Sequence, residues 1–200
     1  MLAIWYLRRA VPWAGSLSCL AVALALIAVI TEWPRLVGTG LPAMVLLTGA
    51  AAGFAFDEAA VRVTSVTVRG TRWAPLARLL AALVLALGGA GLAVAAADEA
   101  VLDRSDWALL ALALGGGTAV VAVFLGRHQV ARPGSWIASA LVLAGLTPLV
   151  LAMLVELRSP YPLEAWTSTL RTGWASIAVL GWVGAAWLAF AGRPLRHAQP

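Results

Sequence analysis

The sequence is poor in charged residues and has no lysine at all. Only 12% of its 200 residues are charged, about half of the roughly 25% found in soluble domains, and all 14 basic residues are arginine. Hydrophobic residues make up 62%. This composition excludes a disordered, fibrous or nucleic-acid-packaging protein and identifies an integral membrane protein. At about 20 residues per bilayer-spanning helix, the chain has no room for a soluble catalytic domain.

Residues that carry out catalysis are also scarce. Cys19 is the only cysteine, so it can form neither an intramolecular disulfide nor a metal site alone, and we expect it to be a small buried hydrophobic residue. The two histidines, His128 and His197, lie far apart in polar segments, as surface residues do. No H-E-x-x-H or G-x-S-x-G motif is present. The sequence therefore does not favour an enzyme or a metal or cofactor site on this chain.

Six apolar runs, each close to the length of a bilayer crossing, alternate with short charged segments. The runs cover Trp13–Ile30, Val37–Phe56, Pro75–Ala97, Trp107–Leu125, Ser135–Val155 and Gly173–Ala191. They are too long, and too rich in alanine, leucine and glycine, to be strands of a barrel. The prediction is an all-α polytopic membrane protein: one transmembrane domain over residues 1–200 with six helices.

The distribution of arginine predicts the orientation in the membrane. With the N-terminus in the cytoplasm, ten arginines lie on the inner side and four on the outer side, whereas seven of the nine acidic residues lie outside. Because basic residues favour the cytoplasmic side, both termini are predicted to be cytoplasmic. The inner arginines are Arg8, Arg9, Arg62, Arg69, Arg72, Arg78, Arg127, Arg132, Arg193 and Arg196.

The middles of the predicted spans contain no charged residue and no histidine. Ion-coupled transporters need a group that changes its charge at mid-membrane, and the repeated ring of charges that many ion channels use is also missing. If this protein moves a substrate, we therefore expect the energy to come from another subunit.

Small and aromatic residues mark the predicted spans. Glycines at Gly49 and Gly53, and in the clusters that begin at Gly88 and Gly115, favour close helix packing, and Pro148 predicts a kink in span five. Tryptophans at the span ends predict belts at the lipid headgroups, formed by Trp13, Trp33, Trp73, Trp107, Trp136 and Trp174. Trp182 and Trp187 lie inside span six, and we expect them to face lipid.

The acidic residues Asp98, Glu99, Asp103 and Asp106 cluster in one outer loop. They have two interpretations, either a site for a hard cation or an ordinary acidic loop on the outer side. The second agrees with the predicted topology and is preferred.

The segment between spans two and three carries the most information. Asp57 is placed to cap a new helix, Glu58 suits its positive end, and Gly70 can end it. Val63 and Val66 share one helical face, while Arg62 and Arg69 share another and Arg72 follows. This pattern predicts a short amphipathic helix across the inner membrane face. Residues 61–68 also alternate partly as a strand does, so an extended segment remains the alternative.

This layout resembles the permease subunits of ABC exporters of the ABC-2 type, in their small six-span form without a fused ATPase. The matching segments are Met1–Arg9 as an N-terminal connecting helix, Asp57–Gly70 as a coupling helix, and Ser159–Arg171 as an outer hairpin with Pro160, Pro162 and Trp166. The outer segment is shorter than full re-entrant helices require.

The resemblance implies a permease subunit in the cytoplasmic membrane of a bacterium. It would pair with a second permease, as a homodimer or heterodimer, and dock on ABC ATPase subunits that bind ATP and magnesium. The coupling residues would be Asp57, Glu58, Arg62, Val63, Val66, Arg69 and Arg72. An uncharged lining would suit an apolar or amphipathic substrate.

Two other functions, from different classes of protein, remain compatible with the sequence. A non-transporting anchor, assembly or sensor subunit would explain the uncharged spans equally well, and its basic loop would bind anionic lipid. A membrane enzyme is the least favoured, because the motifs it needs are missing. A separate ATPase partner would distinguish the exporter from both.

Overall fold

The computed structural model describes residues 11–57, 73–99, 102–128, 130, 132–155, 161–164 and 166–191. Of these residues 88% are helical and none lies in a strand, which confirms the all-α fold class for this part of the chain. The long helices are α1 (Trp13–Glu32), α2 (Val37–Phe54), α3 (Trp73–Glu99), α4 (Arg104–Arg127), α5 (Pro133–Val155) and α6 (Ser168–Phe190). A 3-10 turn, Pro34–Leu36, joins α1 to α2.

Each predicted apolar run coincides with one of these helices, and the differences lie at the ends. The helices α4 and α6 begin before their apolar runs because polar residues cap them. The Asp103 carboxylate accepts a hydrogen bond from the Ser105 amide at 2.9 Å, and the Thr167 hydroxyl accepts one from the Leu170 amide at 3.4 Å. Such caps satisfy amide groups that have no partner within the first turn.

Among the described residues, five helices are long and apolar enough to cross a bilayer: Trp13–Glu32, Pro34–Phe54, Ala74–Ala97, Arg104–Arg127 and Ser168–Phe190. Large apolar side chains cover the outside of the bundle, such as Val84, Leu154 and Leu180, which are 67%, 75% and 69% exposed. A soluble protein does not expose apolar surface of this extent. The protein is therefore a membrane-embedded helical protein.

The helices form two groups that meet at the central helix α2. In the first group, α1 and α5 pack mainly on α2, and in the second, α3 and α6 pack mainly on α4. Contacts of α2 with α3 and α4 join the groups, whereas α5 touches α4 only lightly. Most of α2 is buried, whereas α1 and α6 are largely exposed. The successive helices alternate in direction, so α2, α4 and α6 run parallel to one another.

Glycine allows a close approach between helices at the crossing of α4 and α6. A Cβ atom on Gly181 would lie 2.5 Å from the backbone carbonyl carbon of Gly116. The Trp182 ring lies against Gly116, and its indole N–H donates to the Leu112 carbonyl at 3.0 Å. Trp182 therefore lies between two helices, and the expectation that it faces lipid is wrong. Trp187, at 66% exposed, does lie on the outside of the bundle.

Only part of the glycine pattern serves packing within the chain. Gly49, Gly53, Gly89, Gly115 and Gly116 all contact a neighbouring helix. By contrast, a Cβ atom on Gly88, Gly91 or Gly117 would meet nothing within 4 Å. The helix α5 also continues through Pro148. Glycine in a span therefore marks a close contact at some positions and an open surface at others.

Alanine should destabilise the folded protein at a packed glycine and stabilise it at an open glycine. Gly181→Ala places a methyl group against the Gly116 backbone, and overpacking of this kind costs about 1–3 kcal/mol. Gly91→Ala meets no neighbour, and alanine favours a helix over glycine by up to about 1 kcal/mol. Unfolding of both variants in mixed micelles measures the difference. Equal stability of the two variants would contradict the close crossing of α4 and α6.

Candidate functional site

The end of the bundle that the arginines predict to be cytoplasmic, which we call the inner end, contains the first residue of the predicted coupling segment. Asp57 follows α2 and is described, whereas Glu58, Arg62, Val63, Val66, Arg69 and Arg72 lie outside the described residues. The predicted N-terminal connecting helix, Met1–Arg9, lies outside them too. The site can therefore be built from Asp57 and the helices that surround it.

The side chain of Asp57 is buried against the start of α5. The residue is only 4% exposed, and its Oδ1 atom accepts a hydrogen bond from the Gly134 amide at 2.6 Å. Gly134 lies so close to Gly53 of α2 that a Cβ atom would overlap the Gly53 carbonyl. The Asp57 carboxylate therefore caps a helix distant in sequence, and the helix that Asp57 is predicted to begin lies outside the described residues.

Charges and dipoles around Asp57 oppose the effect of burial on the pKa of its carboxyl. Burial raises the pKa of the Asp57 carboxyl above its ordinary value, while amide hydrogen bonds from Gly134 and Ser135 and the nearby Arg132 and Arg78 act to lower that pKa. A carboxylate at a helix N-terminus is stabilised by the unpaired amides and the helix dipole. The buried charge therefore has partners on α5 and a nearby cation on α3.

The residue that precedes α5 has an unusual backbone conformation. Arg132 has a φ of 53°, which costs a non-glycine residue roughly 1–2 kcal/mol. The Ser135 hydroxyl donates to the Arg132 carbonyl at 3.0 Å, and Asp57 holds the neighbouring Gly134. These two contacts offset the cost and fix the start of α5.

An ion pair at the opposite end of the bundle joins α6 to α4. The Arg171 Nε atom donates to Asp106 Oδ1 at 2.7 Å, and an Arg171 Nη atom donates to Asp103 Oδ2 at 3.2 Å. Asp106 is only 1% exposed, whereas the Arg171 and Asp103 side chains are half-exposed. Hydrogen bonds from Ser105 lower the pKa of Asp103, with a smaller effect from Arg171.

This ion pair explains part of the acidic cluster. Asp103, in the exposed segment before α4, caps that helix, whereas Asp106, in its first turn, is buried and pairs with Arg171. The side chains of Asp98 and Glu99 lie outside what the structure describes. Across the described part of the chain, no three His, Cys, Asp or Glu residues are grouped as metal ligands would be.

Aromatic residues close the outer end of the bundle core. Trp107 is fully buried, Tyr161 donates to the Gly145 carbonyl of α5, and the Trp166 and Trp174 rings stack with centroids 6.1 Å apart. Trp107 therefore belongs to the core, and its assignment to a headgroup belt is wrong. Trp33 and Trp136, at 61% and 71% exposed, lie at helix ends as the belt prediction requires.

Two features of this outer end were missed at the sequence level. Residues 161–164 form a turn packed on the core, and Ser168–Arg171 is the first turn of α6, so the predicted hairpin does not extend through Arg171. The Trp107 and Trp166 indole nitrogens and Asp106 Oδ2 are buried without a hydrogen-bond partner among the described residues. Sequence spacing alone gives no signal for either feature.

The remaining reactive side chains are isolated. Cys19 is half-buried on α1, and His128 is exposed with its ring 4.6 Å from that of Phe124. At the inner end, Arg127 donates to the Ala191 carbonyl at 2.7 Å, which ties the end of α4 to the end of α6. This contact, like those of Asp57 and Arg171, connects the ends of two helices.

Removing the Arg171 charge should destabilise the protein more than neutralising Asp103. Arg171→Met leaves the Asp106 carboxylate buried without its counter-charge, whereas Asp103→Asn keeps a capping side chain at an exposed position. We expect a clearly lower unfolding temperature for Arg171→Met, and partial recovery when Asp106→Asn is added to it. Equal effects of Arg171→Met and Asp103→Asn, with no recovery in the double variant, would contradict this role.

Comparison with models of known protein families, with characterised proteins and with solved structures finds no match to this chain. The likeness to ABC-2 permeases therefore rests on the layout of the chain alone.

Proposed function

We propose that this chain is the transmembrane permease subunit of an ATP-driven ABC exporter in a bacterial cytoplasmic membrane. In this proposal it crosses the membrane six times, with both termini in the cytoplasm, and ATP is hydrolysed on a separate ATPase subunit. The observation that carries the proposal is that all the charge in the helices lies near their ends.

The position of the charges argues for an external source of energy. Every Asp, Glu and Arg residue within α1 to α6 lies in the first or last two turns of its helix, and α2 and α5 contain none. A proton- or sodium-coupled transporter needs a titrating or ion-binding group near the bilayer midplane. A permease driven by a separate ATPase needs no such group.

The directions of the helices support the proposal that the segments in contact with the ATPase all lie on the cytoplasmic side. The end of α2 lies beside the start of α5, and the end of α4 beside the end of α6, so these ends share one face of the bundle. Asp57, the last described residue before the 58–72 segment, lies at that face. This is also the face at which ten of the 14 arginines lie in the proposed orientation.

The exposed apolar surface is relevant to the chemistry of the proposed substrate and to pairing with a second permease subunit. Much of α1 and α6 is exposed, with side chains such as Leu17, Val179 and Val183 at 60% or more. A path between two such subunits would be uncharged and would suit an apolar or amphipathic molecule. The proposal includes either a homodimer or a heterodimer.

Charged substitutions on the valine face of the 58–72 segment should remove the ATPase partner. Val63→Asp and Val66→Asp each place a charge in a contact that the proposal makes apolar, at a cost of several kcal/mol. A loss of about 3 kcal/mol weakens binding by more than about a hundredfold. The measurement is the ATP hydrolysis that co-purifies with a tagged chain from its native membranes in mild detergent.

Ser65→Asp is the matched control, because it adds the same charge on the opposite helical face. We expect it to retain the co-purifying ATPase, and all three variants to insert normally. Absence of ATPase activity with the unaltered chain would contradict the proposal, and so would full retention in Val63→Asp and Val66→Asp. If exchanging Arg62, Arg69 and Arg72 for glutamine weakens lipid binding instead, the non-transporting membrane subunit is favoured.

A further inference from the structure

We infer that the outer end of the bundle binds one neutral hydroxyl group, that of a water molecule or of a lipid headgroup, between Asp106, Trp107 and Trp166. Each of these side chains has a buried polar atom without a hydrogen-bond partner among the described residues: Asp106 Oδ2 and the two indole nitrogens. Buried polar groups in native proteins nearly always have a partner, and ordered water often supplies it. Occupancy of this site does not depend on the proposed transport function.

The three atoms belong to a closed ring of side chains. Asp106 directly precedes Trp107 in the first turn of α4, and Arg171 of α6 binds Asp106 Oδ1 at 2.7 Å. Trp174 lies one turn after Arg171 on the same helix face, and its ring stacks on that of Trp166. Trp166 and Trp174 in turn pack against the core cluster that contains Trp107. The ring therefore brings the three unpartnered atoms to one place in the fold.

The donors and acceptors of this place match a single hydroxyl oxygen. Such an oxygen can accept two hydrogen bonds and donate one. The Trp107 and Trp166 indoles each supply one N–H donor, and Asp106 Oδ2 supplies an acceptor. One hydroxyl group would therefore satisfy all three atoms, and a water molecule would do so with one hydrogen left over.

The charges around the site argue against an ion as the occupant. A cation would lie close to the Arg171 guanidinium and would face the positive hydrogens of the two indoles. An anion would lie close to the carboxylates of Asp106 and Asp103, which both bind Arg171. A neutral hydroxyl avoids both repulsions and still donates to a charged acceptor, which strengthens its hydrogen bond.

Burial of the site limits the size of its occupant. Asp106 and Trp107 are 1% and 0% exposed, whereas the Arg171 and Asp103 side chains at its edge are about half-exposed. Water is small enough for a buried site of this kind. A headgroup hydroxyl would have to enter beside Arg171. We therefore expect water in the site, with a lipid hydroxyl as the other source of the same group.

Magnetic resonance of the indole groups tests the site directly. The full chain with isotope-labelled tryptophan is placed in nanodiscs of phosphatidylcholine, whose headgroup has no hydroxyl, or of phosphatidylglycerol, whose headgroup has hydroxyls. The two indole signals are identified by their loss in Trp107→Phe and Trp166→Phe. We expect both indole protons to show cross-relaxation to bound water in either lipid. Cross-relaxation to headgroup protons in phosphatidylglycerol alone would assign the same site to a lipid hydroxyl.

Asp106→Asn tests whether the carboxylate shares this ligand with the indoles. Arg171 should hold the Asn oxygen, which turns the amide N–H group towards the indoles, so that three donors compete for two lone pairs. The Trp107 cross-relaxation should be lost in Asp106→Asn and retained in Asp103→Asn, the matched control at the other acid that binds Arg171. Tyr161→Phe should also retain it, because the signal does not pass through the hydroxyl of that neighbouring core residue.

Three results would overturn the inference. The first is no cross-relaxation from either indole to water or lipid in the unaltered chain, as expected if the chain itself supplies the acceptors. The second is a Trp107 signal that is unchanged in Asp106→Asn, and the third is its loss in Tyr161→Phe. If Asp106→Asn does not fold, Trp166→Phe decides. Removing one donor should weaken the Trp107 signal, and an unchanged signal would show that the two indoles share no ligand.

Discussion

The lack of hydrogen-bonding partners in the hydrocarbon core of a bilayer determines where this protein can place its charges. In lipid, backbone amides and carbonyls are satisfied within helices, and a charged side chain is stable only near the interface or with a partner. Here charged side chains of one helix bind the ends of another. Asp57 binds the first turn of α5, Arg171 binds the acids at the start of α4, and Arg127 binds the carbonyl of Ala191, the residue after α6.

Because the charged residues are confined to the helix ends, the packing of the helices in the interior of the bundle depends on how well their surfaces fit together. Small residues bring α2 close to α5 and α4 close to α6, and these are the tightest crossings in the described bundle. Van der Waals packing between small residues is the main attraction available to helices in lipid. It yields two helix groups that meet at α2. Such an arrangement is suited to movement of one group relative to the other.

The sequence predicts the positions of the helices well, because apolar runs of membrane length leave few alternatives. It predicts much less about the contacts between helices. Gly181 and Gly91 look alike in the sequence, yet only Gly181 lies against a neighbouring backbone. The helical spacing after Asp57 gives no sign that its carboxylate also binds the amide of Gly134, which is distant in the chain. Trp107 and Trp182 were misassigned because position in a span indicates depth in the membrane but not which neighbour a side chain contacts.

Cysteine accessibility of the 58–72 segment tests most directly whether this segment faces the cytoplasm, on which the account depends. In a Cys19→Ser background, Thr64→Cys reports on the segment, and Glu164→Cys reports on the exposed turn at the other end of the bundle. We predict that a membrane-impermeant maleimide labels Glu164→Cys in intact cells and labels Thr64→Cys only after the membrane is permeabilised. Labelling of Thr64→Cys in intact cells would place the segment on the outer face and contradict the account.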